Sequence, residues 1–333
     1  MVLFVSPVFF IFGVLTGLYV YLDPFKVIWS YQSFYDTGAE VTVSLNRTYV
    51  STTVFDRNYK TGNFNSFIFG NSRSQFYRVE DWKGKLPGGS NPFHFDGFSE
   101  SLYTIDKKVE YIDAKGVNIK NALVTLDYST LVQDKPHTGH LYIISPQLVN
   151  YTNRIAFHLT FLKAFLSPKF LRSYFDYQIN GQLKKYMLED HILDDRSINY
   201  SISTNEISLE KLEALIQNGE YYTPTRMAEF YERDTVPHFS PASIHEDQKG
   251  LLTGILRVFK KHNTNYRIII NPLYDQLRLD PGDLDYLKQL FGSNRVFDFS
   301  GINIFTRDCK NYYEPSHYRP HVAAKIISEV YKN

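Results

Sequence analysis

Two short polar segments carry the residue types of a serine nucleophile and its base. In residues 67–74 (FIFGNSRS), an apolar strand pattern runs into a small polar turn, which places Ser72 at the carboxyl end of the strand. In residues 312–318 (YYEPSHY), Glu314 and His317 lie three apart on a proline-containing turn. A serine hydroxyl becomes a strong nucleophile when an imidazole takes its proton and a carboxylate orients that imidazole. The spacing therefore predicts a catalytic triad.

The same residues also have structural interpretations. In an isolated G-x-S turn, Ser72 would more often cap the next segment, and the catalytic interpretation is favoured because Glu314 and His317 are present. Asn71 is compatible both with a left-handed turn position and with a functional role. Arg73 is compatible both with an ion pair and with binding of an anionic polymer group.

Motifs for other chemistries are absent from the sequence. The single cysteine, Cys309, excludes a multi-cysteine zinc site, and no H-E-x-x-H spacing occurs. Neither a G-x-G-x-x-G loop nor a Walker pattern is found, so a nucleotide enzyme is disfavoured. We therefore predict no metal and no cofactor.

Composition narrows the class of protein. The 333 residues carry a formal net charge of +1 with no basic run longer than a pair, which disfavours binding to nucleic acid. Hydrophobic residues make up 43% and charged residues 21%, as in a globular chain. Aromatic residues reach 16%, a proportion that suits carbohydrate clefts and membrane interfaces. Composition alone leaves both of these open.

The N-terminal sequence predicts a membrane anchor. Residues 2–22 carry no charge, and a helix of that length spans about 32 Å, the thickness of one hydrocarbon core. The segment has no basic start and no small-residue cleavage site, so an uncleaved anchor over residues 1–23 is favoured over a signal peptide. Lys26 is the only nearby basic residue, and its charge argues weakly against an extracytoplasmic body.

The rest of the chain alternates between strand and helix patterns. After a lead-in over residues 24–62, this alternation over 63–333 predicts an α/β domain whose parallel sheet has helices on both faces. Buried strands are predicted at 66–70, 93–97, 122–128, 267–272 and 295–299, and helices at 98–115, 249–263, 281–292 and 320–332.

Residues 130–248 break the alternation and are predicted to be a helical insertion. Apolar residues recur at helical spacing in 155–166 and 170–179. Basic residues accompany them, and Ser167-Pro168 interrupts them, as in an interfacial helical hairpin. A cap packed on the sheet domain fits the same pattern equally well, so both interpretations stay open.

Five blocks of the sequence resemble SGNH/GDSL hydrolases. They are FGNSRS, FHFDGFSESLYTIDKKVEYI, NALVTLDYSTL, IIINPLYDQ and YYEPSHYRPHVAAKII. The first and last look like the G-D-S and D-x-x-H blocks of the superfamily. The set is most similar to its membrane-anchored branch, which serves cell-surface polymer acylation and includes the D-alanyl transfer protein of teichoic acid synthesis and acetyl transfer proteins of exopolysaccharides. The resemblance covers about two thirds of the chain and implies a three-layer α/β/α fold.

The resemblance also implies roles for individual residues. Ser72 matches the nucleophile, His317 the general base and Glu314 the acid that orients it. Gly97 matches the glycine whose amide joins that of Ser72 in an oxyanion hole, and Asn271 is the candidate for a third donor.

Two positions depart from the family pattern. Asn71 stands in place of the aspartate of G-D-S, and Glu314 in place of the aspartate of D-x-x-H. Glutamate serves as the third member of some hydrolase triads, so the chemistry is retained.

From this resemblance we expect a single-pass protein of the cell membrane whose body is extracytoplasmic. Its expected activity is serine-dependent O-acyl (acetyl) transfer onto a cell-surface polysaccharide, together with a multipass membrane-bound O-acyltransferase. The alternatives are a non-catalytic accessory that binds the polymer or the acyltransferase, and a plain carbohydrate esterase.

Overall fold

A five-stranded parallel sheet forms the centre of the chain. The computed structural model describes residues 2–332, with side chains from residue 9 onward. Eleven strands lie in this part: β1 (Thr42–Val43), β2 (Ser66–Phe69), β3 (Pro92–His94), β4 (Asn121–Leu126), β5 (Leu193–Asp194), β6 (Asn199–Ser201), β7 (Glu206–Ser208), β8 (Asn265–Ile270), β9 (Val296–Asp298), β10 (Tyr312–Glu314) and β11 (His317–Tyr318). The central sheet has the order β3-β2-β4-β8-β9, with every neighbouring pair parallel.

Helices follow most of the central strands. The twelve α-helices of the described residues are α1 (Val2–Leu22), α2 (Arg47–Gly62), α3 (Val79–Lys83), α4 (Leu102–Ala114), α5 (Tyr128–Leu131), α6 (Arg154–Phe165), α7 (Pro168–Asn180), α8 (Glu210–Gln217), α9 (Pro224–Met227), α10 (Glu246–Lys261), α11 (Pro281–Phe291) and α12 (Pro320–Val330). Their arrangement is consistent with a three-layer α/β fold.

Burial explains why the central strands could be predicted from the sequence. All residues of β2 and β4 are buried, as is typical of parallel strands covered on both faces. Apolar side chains of the sheet and of its helices form one continuous hydrophobic core. The predicted parallel α/β sheet is confirmed, and each of the five predicted strands is present with ends that move by no more than three residues.

The insertion contains helices where they were predicted, and also three short strands that were not. Helices α6 and α7 begin and end within two residues of the expected bounds. Strand β5 pairs antiparallel with β1 of the lead-in, and β6 pairs with β7 in a hairpin. Strands of two or three residues are too short to show an alternating pattern, so they could not be predicted from the sequence.

A second hydrophobic cluster joins the α6–α7 hairpin to the end of α1. The Tyr19 ring lies 5.4 Å from that of Phe165, and the Phe25 ring lies 4.8 Å from that of Phe170. These aromatic rings are buried in a cluster separate from the core of the sheet. The opposite side of α6 exposes Ile155 at 78%. The hairpin therefore has one packed face and one open apolar face.

Among the described residues, no helix is both long enough and apolar enough to cross a membrane. The predicted anchor over residues 1–23 includes Met1, which lies outside the described residues, and residues 2–8, whose side chains are not described. The anchor therefore stays a prediction.

Candidate active site

The turn after β2 presents Ser72 at the carboxyl edge of the sheet. Gly70 ends the strand at a φ of 150°, and a Cβ at this position would lie 2.1 Å from Oγ1 of Thr125. Only glycine fits this backbone and this close approach to β4. Asn71 then caps a short 3₁₀ helix that begins at Ser72, because its side-chain oxygen accepts the amide of Arg73 at 3.1 Å. Gly70 and Asn71 thus shape the turn that holds the serine.

The base and its acid lie on the β10–β11 hairpin. Glu314 and His317 are paired across this hairpin, and the strand register shifts beside them. Tyr318, the next residue, is fully buried and anchors the hairpin, since its hydroxyl donates to Asn271 Oδ1 at 3.0 Å. The hairpin is therefore fixed to the carboxyl edge of the sheet.

The hairpin brings His317 into contact with Ser72. Their Nε2 and Oγ atoms lie 2.8 Å apart, although 245 residues separate them in the sequence. On the other side of the ring, Nδ1 is hydrogen-bonded to Oε1 of Glu314. With the ring proton on Nδ1, Nε2 accepts the serine proton, which is the arrangement a general base requires.

The environment keeps the third member of this triad ionised. Burial raises the pKa of the Glu314 carboxyl, but the hydrogen bond and charge of His317 and the amide of Ser316 outweigh it, so the pKa lies below its ordinary value. The Ser316 amide donates to Oε2 at 2.6 Å. A charged carboxylate can hold the imidazole in its reactive orientation and stabilise it when it becomes protonated.

Asp127, directly after β4, is a central acceptor of the site that the sequence reasoning missed. Its Oδ2 accepts from Asn71 Nδ2 at 2.8 Å, from Arg73 Nη1 at 2.9 Å and from Asn271 Nδ2 at 3.0 Å. Its Oδ1 accepts from the Ser129 hydroxyl at 2.6 Å. Asp127 thus joins the ends of three neighbouring strands.

These contacts stabilise the charged form of Asp127. Complete burial raises the pKa of the carboxyl, but the Arg73 guanidinium, followed by hydrogen bonds from Ser129, Asn271 and Asn71, lowers it to about 2. The signal that could have located this residue is a polar side chain directly after a buried parallel strand, since such ends share one edge.

Arg73 connects the two halves of the triad. While Nη1 is paired with Asp127, Nε donates to the carbonyl oxygen of Ser316 at 2.9 Å. Arg73 follows the nucleophile in the chain, and Ser316 precedes the base. One guanidinium therefore connects the serine turn with the histidine hairpin. The ion pair of Arg73 is present, and its binding of an anionic polymer group stays a prediction.

Asn71 and Asn271 lie beside the triad, but their amide groups face inward. Both Nδ2 atoms donate to Asp127, and both residues are buried, Asn271 completely. The substrate role predicted for them stays a prediction. What the structure supplies is a positioning role through Asp127.

Gly97 lies near the serine turn, and its backbone amide is hydrogen-bonded within the protein. Its N–H donates to the carbonyl oxygen of Gly70 at 3.1 Å, so this amide does not point freely at a reacting carbonyl. The Ser72 amide is different, because it lies in the first turn of a helix, where N–H groups lack an acceptor within the helix. The oxyanion role of Gly97 stays a prediction.

A cavity of about 670 Å³ opens at the triad. Ser72, His317 and Glu314 line it, together with residues of the lead-in and of the insertion around 188–209. Cavities of this size take small organic ligands. In the described part of the chain, no three His, Cys, Asp or Glu side chains are grouped so that they could hold a metal ion.

No family model matches the sequence, and a search of curated proteins finds no significant relative.

Proposed function

We propose that the protein is a serine acyl-ester enzyme whose nucleophile is Ser72. The observation that carries the proposal is the continuous hydrogen-bonded series from Ser72 Oγ through His317 to Glu314 at the mouth of a cavity. Structural serines do not need an imidazole that is itself oriented by a carboxylate. Acyl transfer through a covalent intermediate is the chemistry for which this arrangement is suited.

The proposed reaction has two halves. Ser72 Oγ attacks the carbonyl carbon of an acyl ester while its proton moves to His317 Nε2, and the oxyanion faces the Ser72 amide. As the carbon–oxygen bond to the leaving group breaks, His317 returns the proton to that oxygen. In the second half, His317 takes a proton from the attacking hydroxyl, and the acyl group leaves Ser72, which recovers its proton.

Transfer and hydrolysis differ only in which hydroxyl attacks the acyl-enzyme. We propose a polysaccharide hydroxyl as acceptor, a membrane-bound O-acyltransferase as partner and an extracytoplasmic body. These parts rest on the sequence resemblance, whereas the serine chemistry rests on the geometry. A plain carbohydrate esterase uses the same triad with water as the acceptor, and acetate release that is independent of any glycan acceptor would favour it.

Covalent labelling tests the serine chemistry directly. We expect a fluorophosphonate probe to label the full-length protein in detergent, and to lose that labelling in Ser72→Ala and His317→Ala. Ser293→Ala, which removes an exposed serine of a turn, is the matched control and keeps wild-type labelling. A folded wild-type protein that takes up no probe would contradict the proposal and favour the non-catalytic accessory.

A further inference from the structure

The cavity at Ser72 has two chemically different walls. The strand-end loops 71–75, 98–100 and 129–137 contribute mainly polar side chains to it. The lead-in and residues 141–209 of the insertion contribute a cluster of aliphatic side chains, beside the polar side chains of Tyr35, Thr42, Ser44, Tyr142, His191, Asp194, Asp195 and Arg196. The aliphatic cluster itself offers no hydrogen-bond partner to the hydroxyl groups of a sugar.

The aliphatic wall is built from side chains of separate elements. They are Val43, Leu45, Leu141, Leu188, Leu193, Ile198, Ile207 and Leu209. Most of them, Leu193 and Leu209 included, are buried. Strand β5, which carries Leu193, is held against β1 of the lead-in by backbone pairing, which fixes this wall in place.

Two of the charged groups beside the aliphatic cluster, Arg196 and Asp194, are paired with each other. Arg196 donates from Nη2 to Oδ2 of Asp194 at 2.7 Å and from Nε to Oδ1 at 2.9 Å. A sugar hydroxyl placed against the aliphatic side chains would lose its hydrogen bonds to water without replacement. An alkyl chain placed there would gain from leaving water, in proportion to its buried area.

From these observations we infer that the acyl group carried by Ser72 is a medium-length alkyl chain rather than acetyl. The inference rests on the proposed function, and it names the acyl class that the same site takes. The aliphatic wall holds the chain, and the polar strand-end wall remains for the acceptor. An acetyl group has a single methyl and would leave almost all of the wall uncovered.

Chain-length dependence of ester cleavage tests the inference. We would measure kcat/KM of the full-length protein for p-nitrophenyl esters from acetate to dodecanoate, each divided by its rate with imidazole in solution. We expect this ratio to rise by about fourfold for each buried methylene and then to level off. A ratio for acetate equal to or above that for octanoate would overturn the inference.

Variants of the wall test where the selectivity comes from. Leu209→Asn and Leu193→Asn should each lower the octanoate-to-acetate ratio at least tenfold. Ile304→Asn, which changes a side chain that is 72% exposed and lies outside the cavity, is the matched control and should keep the wild-type ratio. A ratio unchanged in both folded wall variants would place the chain elsewhere and contradict the inference.

Binding to a protein without its nucleophile separates the inference from the proposed function. Calorimetry on full-length Ser72→Ala would compare octanamide with acetamide, using protein-free micelles as the blank. We expect octanamide to bind at least tenfold more tightly. If octanamide is preferred but the probe does not label the wild type, the cavity binds an alkyl chain and the proposed serine enzyme is rejected. Labelling without the preference would reject the alkyl chain alone.

Discussion

The guanidinium of Arg73 donates to the carbonyl oxygen of Ser316 at 2.9 Å, so the residue after the nucleophile holds the residue before the base. This contact crosses 243 residues of sequence. Because the charge of Arg73 is at the same time paired with Asp127, the serine turn and the histidine hairpin are fixed to one buried carboxylate. Ser72 and His317, whose Oγ and Nε2 atoms lie 2.8 Å apart, are on the two segments that this contact joins.

Arg73→Ala should therefore impair catalysis while leaving substrate binding largely intact. A displacement of about 1 Å between reacting groups costs about a hundredfold in rate, and we expect kcat on a p-nitrophenyl ester to fall by about that factor with little change in KM. Arg73→Lys should recover only part of this loss, because an ammonium lacks the planar fork that reaches both partners.

Two further measurements separate this positioning role from a general loss of structure. Free guanidinium at low millimolar concentration should restore part of the activity of Arg73→Ala. Arg257→Ala removes a guanidinium that is 72% exposed and should behave like the wild type. An Arg73→Ala protein with unchanged kcat would refute the positioning role.

Asp127 should make stability depend on acid pH. Its pKa of about 2 is depressed below the ordinary value of an unfolded aspartate, so the stabilisation is complete above about pH 4 and is lost as the pH falls through the folded pKa. The shift corresponds to roughly 2 kcal/mol. Denaturant unfolding of the wild type between pH 5 and pH 2 should show this loss.

Asp127→Asn removes the titrating group and leaves Arg73 without its counter-ion. We expect the free energy of unfolding at pH 7 to fall by about 2–4 kcal/mol, and its decrease between pH 5 and pH 2 to be smaller than in the wild type. Asp285→Asn, on the exposed side of α11, is the control and should retain the full pH dependence. Equal pH dependence in Asp127→Asn would show that another carboxylate is responsible.

The sequence was informative where chemistry and local pattern coincide. Ser72 follows a buried apolar strand, and Glu314 and His317 lie within one turn, so short-range spacing sufficed to select all three. Asp127 and its partners are brought together by the parallel order of the sheet, in which Asn271 lies 144 residues away. The spacing of residues within one sequence does not show such contacts between distant residues. The strand predicted at 122–128 included Asp127, so only a strand end at Leu126, as the structure has it, would have marked Asp127 as the polar residue that follows.

The roles assigned from the resemblance illustrate the same limit. The resemblance makes Asn271 the candidate for a third oxyanion donor, yet its side-chain Nδ2 donates to Asp127 and its side-chain Oδ1 accepts from Tyr318. The Gly97 amide donates to Gly70. The type of residue and its position at the sheet edge could be predicted, whereas the direction of each side chain or amide depends on tertiary neighbours.

Glu314 should be essential as a charge rather than as a hydrogen-bond partner alone. Glu314→Gln would present an amide to Nδ1 of His317 and favour the ring tautomer that cannot accept the serine proton. By analogy with known triads, we expect kcat to fall by about 10³ to 10⁴. Glu314→Asp keeps the charge and shortens the side chain, so it should lose less. Equal losses in the two variants would argue for a purely spatial role.

Gly70→Ala should affect both stability and the position of the nucleophile. At a φ of 150° an L-residue is strained, and the added Cβ would lie 2.1 Å from Oγ1 and 2.9 Å from the carbonyl oxygen of Thr125. Since Thr125 is on a fully buried strand, the turn itself must move, and we expect about 2–4 kcal/mol of destabilisation. Gly88→Ala is the matched control, because a Cβ there meets nothing within 4 Å. Thermal unfolding and fluorophosphonate labelling of the folded fraction would both be measured, and a Gly70→Ala protein with wild-type melting and labelling would contradict this account of the serine turn.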